Sequence, residues 1–189
     1  MNKKKYISLA KQSADIQINE LKKIKKTFNS SFIKAVDLIL NNKGKIIFAG
    51  IGKSGLIARK ISATFSSVGI PSFFCDPAQA LHGDMGQIEK KDLLIIFSYS
   101  GNTSELKNML RYANRYRIKI IGVASKPESI LLKASDVKIL IPKVKESDVT
   151  GMVPTSSTSI TLLLGDCLAT TVMQLKKFSK EKFKVYHPG

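Results

Sequence analysis

The residues of this sequence that could do chemistry gather in a few short segments. Ser98-Tyr99-Ser100-Gly101-Asn102-Thr103-Ser104-Glu105 crowds the hydroxyls of Ser98, Ser100, Thr103 and Ser104 around a glycine. Hydroxyls and the backbone N–H groups of a turn that opens a helix can all donate to phosphate oxygens, and this needs no net charge. Alone, Thr103 or Ser104 could be an ordinary helix cap. A second cluster, Pro154-Thr155-Ser156-Ser157-Thr158-Ser159, argues for a phosphorylated ligand held by one cluster at its phosphate and by the other at further hydroxyls. Proton transfer could fall to four residues. The sequence holds two histidines, His82 in His82-Gly83-Asp84 and His187 in His187-Pro188-Gly189, both in glycine-bearing segments. An imidazole near its ordinary pKa moves protons at neutral pH. Glu105 stands at the end of the first hydroxyl segment and Glu146 between Pro142 and Pro154.

The segment Gly50-Ile51-Gly52-Lys53-Ser54-Gly55 invites two other readings. A Walker A phosphate loop needs a glycine where Ile47 stands, so that match fails. A dinucleotide fingerprint fits better, since Gly50, Gly52 and Gly55 are followed by Asp76 near the position of a ribose-binding acid. An NAD-dependent oxidoreductase is therefore a competing reading. Against it, the other loops are rich in hydroxyls instead of the apolar walls that nicotinamide and adenine require. No His-x-x-x-His or paired cysteine spacing supports a metal site, and none is expected.

Positioning these groups requires a sheet. Short apolar runs at Ile46–Ala49, Ser72–Cys75, Leu93–Phe97, Lys119–Val123 and Val137–Ile141 alternate with helix-length connections. Runs apolar on both faces predict parallel strands covered by helices, so the fold class is α/β, a doubly wound five-stranded parallel sheet. Such sheets bind ligands beyond the carboxyl ends of their strands, where all the segments above would converge. Before the sheet, apolar residues from Ile7 to Ile39 recur at helical spacing, with Asn29-Ser30-Ser31 as a dividing point. Asn41-Asn42-Lys43-Gly44 is expected to stop that helix through a left-handed residue. This gives a helical extension over residues 1–44, packed on the domain or on a neighbouring subunit, and one domain over 45–189. A last helix is expected from Ser156 to Phe178.

With 189 residues, 43% hydrophobic and 24% charged, the chain has the length and composition of one folded domain. The absence of a signal-type run or an apolar stretch of about 18 residues predicts a soluble protein with no membrane partner. Cys75 and Cys167 cannot make a disulfide framework, which points to the cytoplasm. The formal charge of +17 suggests anionic partners. Eleven lysines among residues 1–45, and more near the carboxyl terminus, spread that charge over the periphery without an aromatic-interleaved stripe, so nucleic acid is not expected.

Taken together, Gly-Ile-Gly-Lys-Ser-Gly (50–55), His-Gly-Asp-Met-Gly (82–86), Ser-Tyr-Ser-Gly-Asn-Thr-Ser-Glu (98–105), Pro-Thr-Ser-Ser-Thr (154–158) and His-Pro-Gly (187–189) resemble the sugar-isomerase (SIS) domain of the arabinose-5-phosphate isomerase family over nearly the whole chain. The resemblance implies an SIS fold, no redox cofactor, and interconversion of D-ribulose 5-phosphate and D-arabinose 5-phosphate, the first step toward the Kdo sugar of lipopolysaccharide or of some capsules. It implies that Lys53, His82, Glu105, Glu146 and His187 act in catalysis. Gly52, Ser54, Ser98, Ser100, Gly101, Thr103, Ser104, Thr155, Ser156 and Ser157 would bind substrate and its phosphate. A homotetramer with active sites shared between subunits is implied as well. The sequence departs from the family in ending at the segment that usually precedes a pair of CBS regulatory modules. It also departs in carrying Asn102 for the usual Glu and Ser147-Asp148-Val149 for the usual Ala-Cys-Pro. Another sugar phosphate as substrate, or a non-catalytic SIS sensor, are the alternatives.

Moving a carbonyl between C1 and C2 requires a base, an enediol or enediolate, and return of the proton to the other carbon. Glu105 or Glu146 could be the base, with a histidine opening the furanose form of the aldose and Lys53 stabilising negative charge.

Overall fold

The computed structural model describes residues 3–188. Five strands, β1 (Ile46–Gly50), β2 (Ser72–Cys75), β3 (Leu93–Phe97), β4 (Lys119–Ala124) and β5 (Val137–Leu140), form one sheet in the order β2-β1-β3-β4-β5. Every pairing is parallel. The chain moves outward from β1 in both directions, so the reversal of strand order lies between β1 and β3.

Two cores explain why the strands read as continuous apolar runs. Along β1, Ile46 and Phe48 point to one side and Ile47 and Ala49 to the other, and all are buried. The first side packs under α2 (Ser30–Asn41), α3 (Lys53–Ser67) and α6 (Ser156–Leu175). The second is covered by α4 (Leu106–Tyr116) and α5 (Ile130–Ala134). By length and composition α6 could cross a membrane. Here Ile160, Leu164, Leu168 and Val172 bury its apolar stripe in the first core.

The amino-terminal helix is divided as its sequence suggests: α1 (Lys3–Leu21), a 3-10 segment (Lys22–Thr27) and then α2, whose first turn is capped by the Asn29 side chain accepting from Ser31 N. Two expectations change. The helix does not end through a left-handed residue: Asn42 is extended, and Gly44 is needed because an added Cβ would lie 2.5 Å from the Lys91 carbonyl oxygen. The last long helix stops at Leu175 instead of Phe178, because Lys177 adopts φ +50° and turns the chain into a short α7 (Lys180–Tyr186). Strand ends shift by one residue; Ile141 is outside β5, although its N–H still donates to Ala124 O.

Candidate active site

The loops after β1 and β3 and the start of α6 meet at the carboxyl edge of the sheet, beside the reversal of strand order. They border one cavity of about 620 Å³. Of the residues singled out in the sequence, Lys53, Ser54, Ser98, Ser100, Thr103, Glu146 and Ser157 line it.

The β3 loop is built from its own hydroxyls. Ser98, buried at the strand end, shares a hydrogen bond of 2.9 Å with the Thr103 hydroxyl and accepts from Gly101 N at 3.1 Å. Ser100 accepts from Asn102 N at 3.2 Å. Gly101 adopts φ +68°, and a Cβ there would stand 2.9 Å from that of Ala124 and collide with Ser129, so a side chain would be both strained and crowded. Asn102 joins the loop to α5 by accepting from Ile130 N at 3.0 Å. Gly101 therefore shapes the loop from behind without lining the cavity.

Glu146 is the better-held carboxylate. One of its oxygens accepts from Thr155 N (2.8 Å), the Thr155 hydroxyl (2.9 Å) and Ser157 N (3.2 Å), which places an anion at the amino terminus of α6. Partial burial alone would raise this carboxyl, but hydrogen bonds from Ser157 and Thr155 outweigh it and hold it below its ordinary value. These bonds bear on the expected role of the second hydroxyl cluster. In this structure the Thr155 donors are directed at Glu146, while Ser156 is buried with its hydroxyl unpartnered among the described residues.

Other expected site residues lie elsewhere in a single chain. Glu105 is exposed; the Ser104 hydroxyl donates to it at 2.7 Å and keeps its carboxyl below the ordinary value. Neither residue lines the cavity. Gly52 borders a neighbouring cleft with Arg59, Phe74 and Asp76. His82 is exposed at the end of a 3-10 turn (Gln79–His82). His187 follows α7, whose Tyr186 ring reaches Gly69 just beyond the far end of α3. α3 is 15 residues long, so about 22 Å of helix separates that end from Lys53. There the His187 ring stacks on Phe183, with Nδ1 at 3.0 Å from the Phe183 carbonyl oxygen. Gly189 of the His-Pro-Gly segment lies outside the described residues.

The sequence reading missed Tyr99, Lys143 and Lys145. Tyr99 lines the cavity and accepts from Val144 N at 2.8 Å, tying the β3 loop to the Pro142–Pro154 connection. Lys143 and Lys145 line the same cavity and add their positive charge to that of Lys53. Their nearness to Glu146 in sequence was the available signal. Among the described residues, no three His, Cys, Asp or Glu side chains form a group able to hold a metal ion.

Comparison with known proteins adds relatives to this geometry. The SIS domain family matches residues 39–171. The structure of the Escherichia coli CFT073 protein c3406 in complex with arabinose 5-phosphate superposes with a TM-score of 0.96 at 34% identity, covering 100% of both chains. The arabinose 5-phosphate isomerase KdsD of Francisella tularensis is 41% identical across 97% of this chain and 57% of its own length. An uncharacterized protein of Rickettsia prowazekii is 41% identical across 100% of this chain and 59% of its own. The chain thus spans a little under three fifths of these two curated relatives.

Proposed function

The chain belongs to the SIS domain family, and we propose that it is an aldose–ketose isomerase interconverting D-ribulose 5-phosphate and D-arabinose 5-phosphate. The observation that carries this reading is the cavity itself, where a hydroxyl-built loop, Lys53 and a well-oriented carboxylate meet at the reversal point of a parallel sheet. The full-length likeness to a protein in complex with arabinose 5-phosphate supports it.

In this reading the phosphate rests in the β3 loop, where Ser100, Thr103 and backbone N–H groups donate to it, and the lysines at the rim draw the anion in. The carbon end of the sugar then lies toward Glu146. A carboxylate takes a proton from the carbon beside the carbonyl, the electron pair moves onto the carbonyl oxygen as an enediolate, and Lys53 stabilises that charge. Return of the proton to the neighbouring carbon, with loss of the proton from the other enediol oxygen as it becomes the new carbonyl and gain of one by the former carbonyl oxygen, completes the shift with no net oxidation. Glu146 is well oriented for the task, whereas Glu105 requires a change of side-chain direction or a neighbouring subunit. Opening the furanose form of the aldose falls to a histidine.

His187 sits too far from Lys53 in its own chain to serve there. We assign it to the cavity of a neighbouring copy, in a homotetramer with shared sites. Residues 45–189 form the isomerase unit and residues 1–44 its helical extension, of which α2 contributes Ala35, Val36 and Ile39 to the core. The cytoplasm and the supply of Kdo for lipopolysaccharide or capsule go with this function.

The test is incubation of the protein with D-ribulose 5-phosphate, with hexose and heptose phosphates in parallel, one set containing EDTA and one NAD. Formation of arabinose 5-phosphate without a nicotinamide absorbance change is expected. Binding without turnover of any pentose phosphate would make the protein a sensor, and turnover only with NAD would make it an oxidoreductase.

A further inference from the structure

The SIS match begins at residue 39, so α1 lies upstream of it, yet one face of α1 reaches the candidate site. Ser13, Gln17 and Glu20 are spaced four and three residues apart, which aligns them on a single helical stripe. All three are half-buried polar residues on a helix that otherwise exposes most of its length. Their partners flank Glu146 on both sides. Glu20 accepts from Lys145 N at 3.0 Å. The Ser13 hydroxyl donates to the Ser147 hydroxyl at 2.9 Å, and Gln17 Nε2 approaches the same oxygen at 3.4 Å. The other end of the Gln17 amide accepts from the Ser159 hydroxyl of α6 at 3.2 Å. Ser147 N in turn donates to the Thr155 hydroxyl at 2.9 Å, and that hydroxyl donates to Glu146.

We propose that the Ser13–Gln17–Glu20 stripe of α1 positions Glu146 for proton transfer, by fixing the residues before and after it to the start of α6. This deepens the isomerase reading and rests on it. Lys145 and Ser147 belong to a connection with no regular structure, and the shape of that connection decides where the carboxylate points. Tyr99 anchors it at Val144, ahead of the carboxylate. α1 supplies the anchors at the residues adjoining Glu146. The three act through other groups and touch no substrate, so they are positioning residues.

Two variants approach the same contacts from opposite sides: Ser13→Ala/Gln17→Ala on the helix and Ser147→Ala on the connection. Asn19→Ala is the control, because Asn19 is exposed and its side chain pairs with Lys22. Amide exchange of intact protein should speed about tenfold at Thr155 and Ser157 in both variants and remain unchanged in β3 and β4, as expected for local opening. For the active enzyme, kcat should fall by about 10- to 10²-fold with little change in KM, the scale of a misplaced catalytic group. The combined variant should lose little more than the helix variant alone, because the Ser13 and Gln17 bonds that Ser147→Ala removes are already lost there. Unchanged exchange at Thr155 and Ser157, or an unchanged kcat in an enzyme that turns over, would overturn the proposal. Should the unaltered protein convert no pentose phosphate, the isomerase reading fails, and exchange alone decides whether α1 holds Glu146.

Discussion

The two edges of the sheet use the same chemistry to different ends. At the amino edge, Asp92 is buried and fully engaged: it accepts from Lys45 N at 2.7 Å and Glu89 N at 2.8 Å, and Lys45 Nζ lies 3.3 Å away. Asp136 likewise accepts from Ile120 N at 2.9 Å and from Lys119 at 2.6 Å. The backbone at the starts of β1 and β4 is thus met by a carboxylate of the chain itself. At the carboxyl edge the start of α6 is closed in this way, by Glu146, while the β3 loop answers its donors with small hydroxyls and Lys53 lines the cavity. The difference teaches that carboxylates finish a surface, whereas hydroxyls bordering a cavity leave donors that an incoming phosphate can claim.

If the carboxyl edge is for chemistry and the amino edge for stability, substitutions should separate the two. The largest effect is expected for Glu146→Gln, which should lower kcat by the roughly 10²–10⁴ typical of an acid–base group, with KM near normal in steady-state assays. A small loss would move the base to Glu105. At the amino edge, Asp92→Ala should cost about 2–4 kcal/mol in denaturant unfolding by leaving buried N–H groups unpaired, while kcat per folded molecule stays within about twofold. A comparable loss of kcat would erase the distinction.

Gly101→Ala falls between these classes. The φ of +68° and the crowding by Ala124 should deform the β3 loop, raising KM several-fold more than it lowers kcat and costing about 1–3 kcal/mol of stability.

Acid should act first on the connection carrying Glu146. Hydrogen bonds from the Thr150 hydroxyl and from backbone N–H groups together outweigh the opposing effect of burial and hold Asp148 down at about 2. A carboxyl lowered on folding contributes stability that is present above its ordinary pKa of 3.8 and is lost as pH falls through the folded value. Glu146 acts in the same direction. Between about pH 4 and 2, amides of residues 147–157 should therefore lose protection before those of β1 and β3. The smallest effect is expected at Arg117, whose φ of +56° at the end of α4 suits glycine. Arg117→Gly should raise stability by a few tenths to about 1 kcal/mol in thermal unfolding.

The centre of the sheet was legible because β1 and β3 are buried on both faces, so Leu93–Phe97 reads as an unbroken apolar run whose ends need no other signal. Helix ends were less so, since Lys177 takes a left-handed conformation that composition does not announce. At the site, the hydroxyl loop was readable as a local cluster. The engagement of Glu146 by Thr155 and Ser157 was not, because it depends on how an irregular connection folds back nine to eleven residues later. Nor could spacing show that His187 ends at the amino edge, which follows from α6 running the full depth of the sheet before α7 begins. The contacts of α1 with Lys145 and Ser147 join residues more than a hundred positions apart and left no local mark.

The most direct test of an active carboxyl edge is a titration of the protein with D-arabinose 5-phosphate, followed by amide chemical shifts. The largest saturable changes are expected at residues 52–54 and 98–105, with Lys45, Asp92 and Ile120 unmoved. Changes centred on the amino edge, or none at millimolar sugar phosphate, would contradict the account.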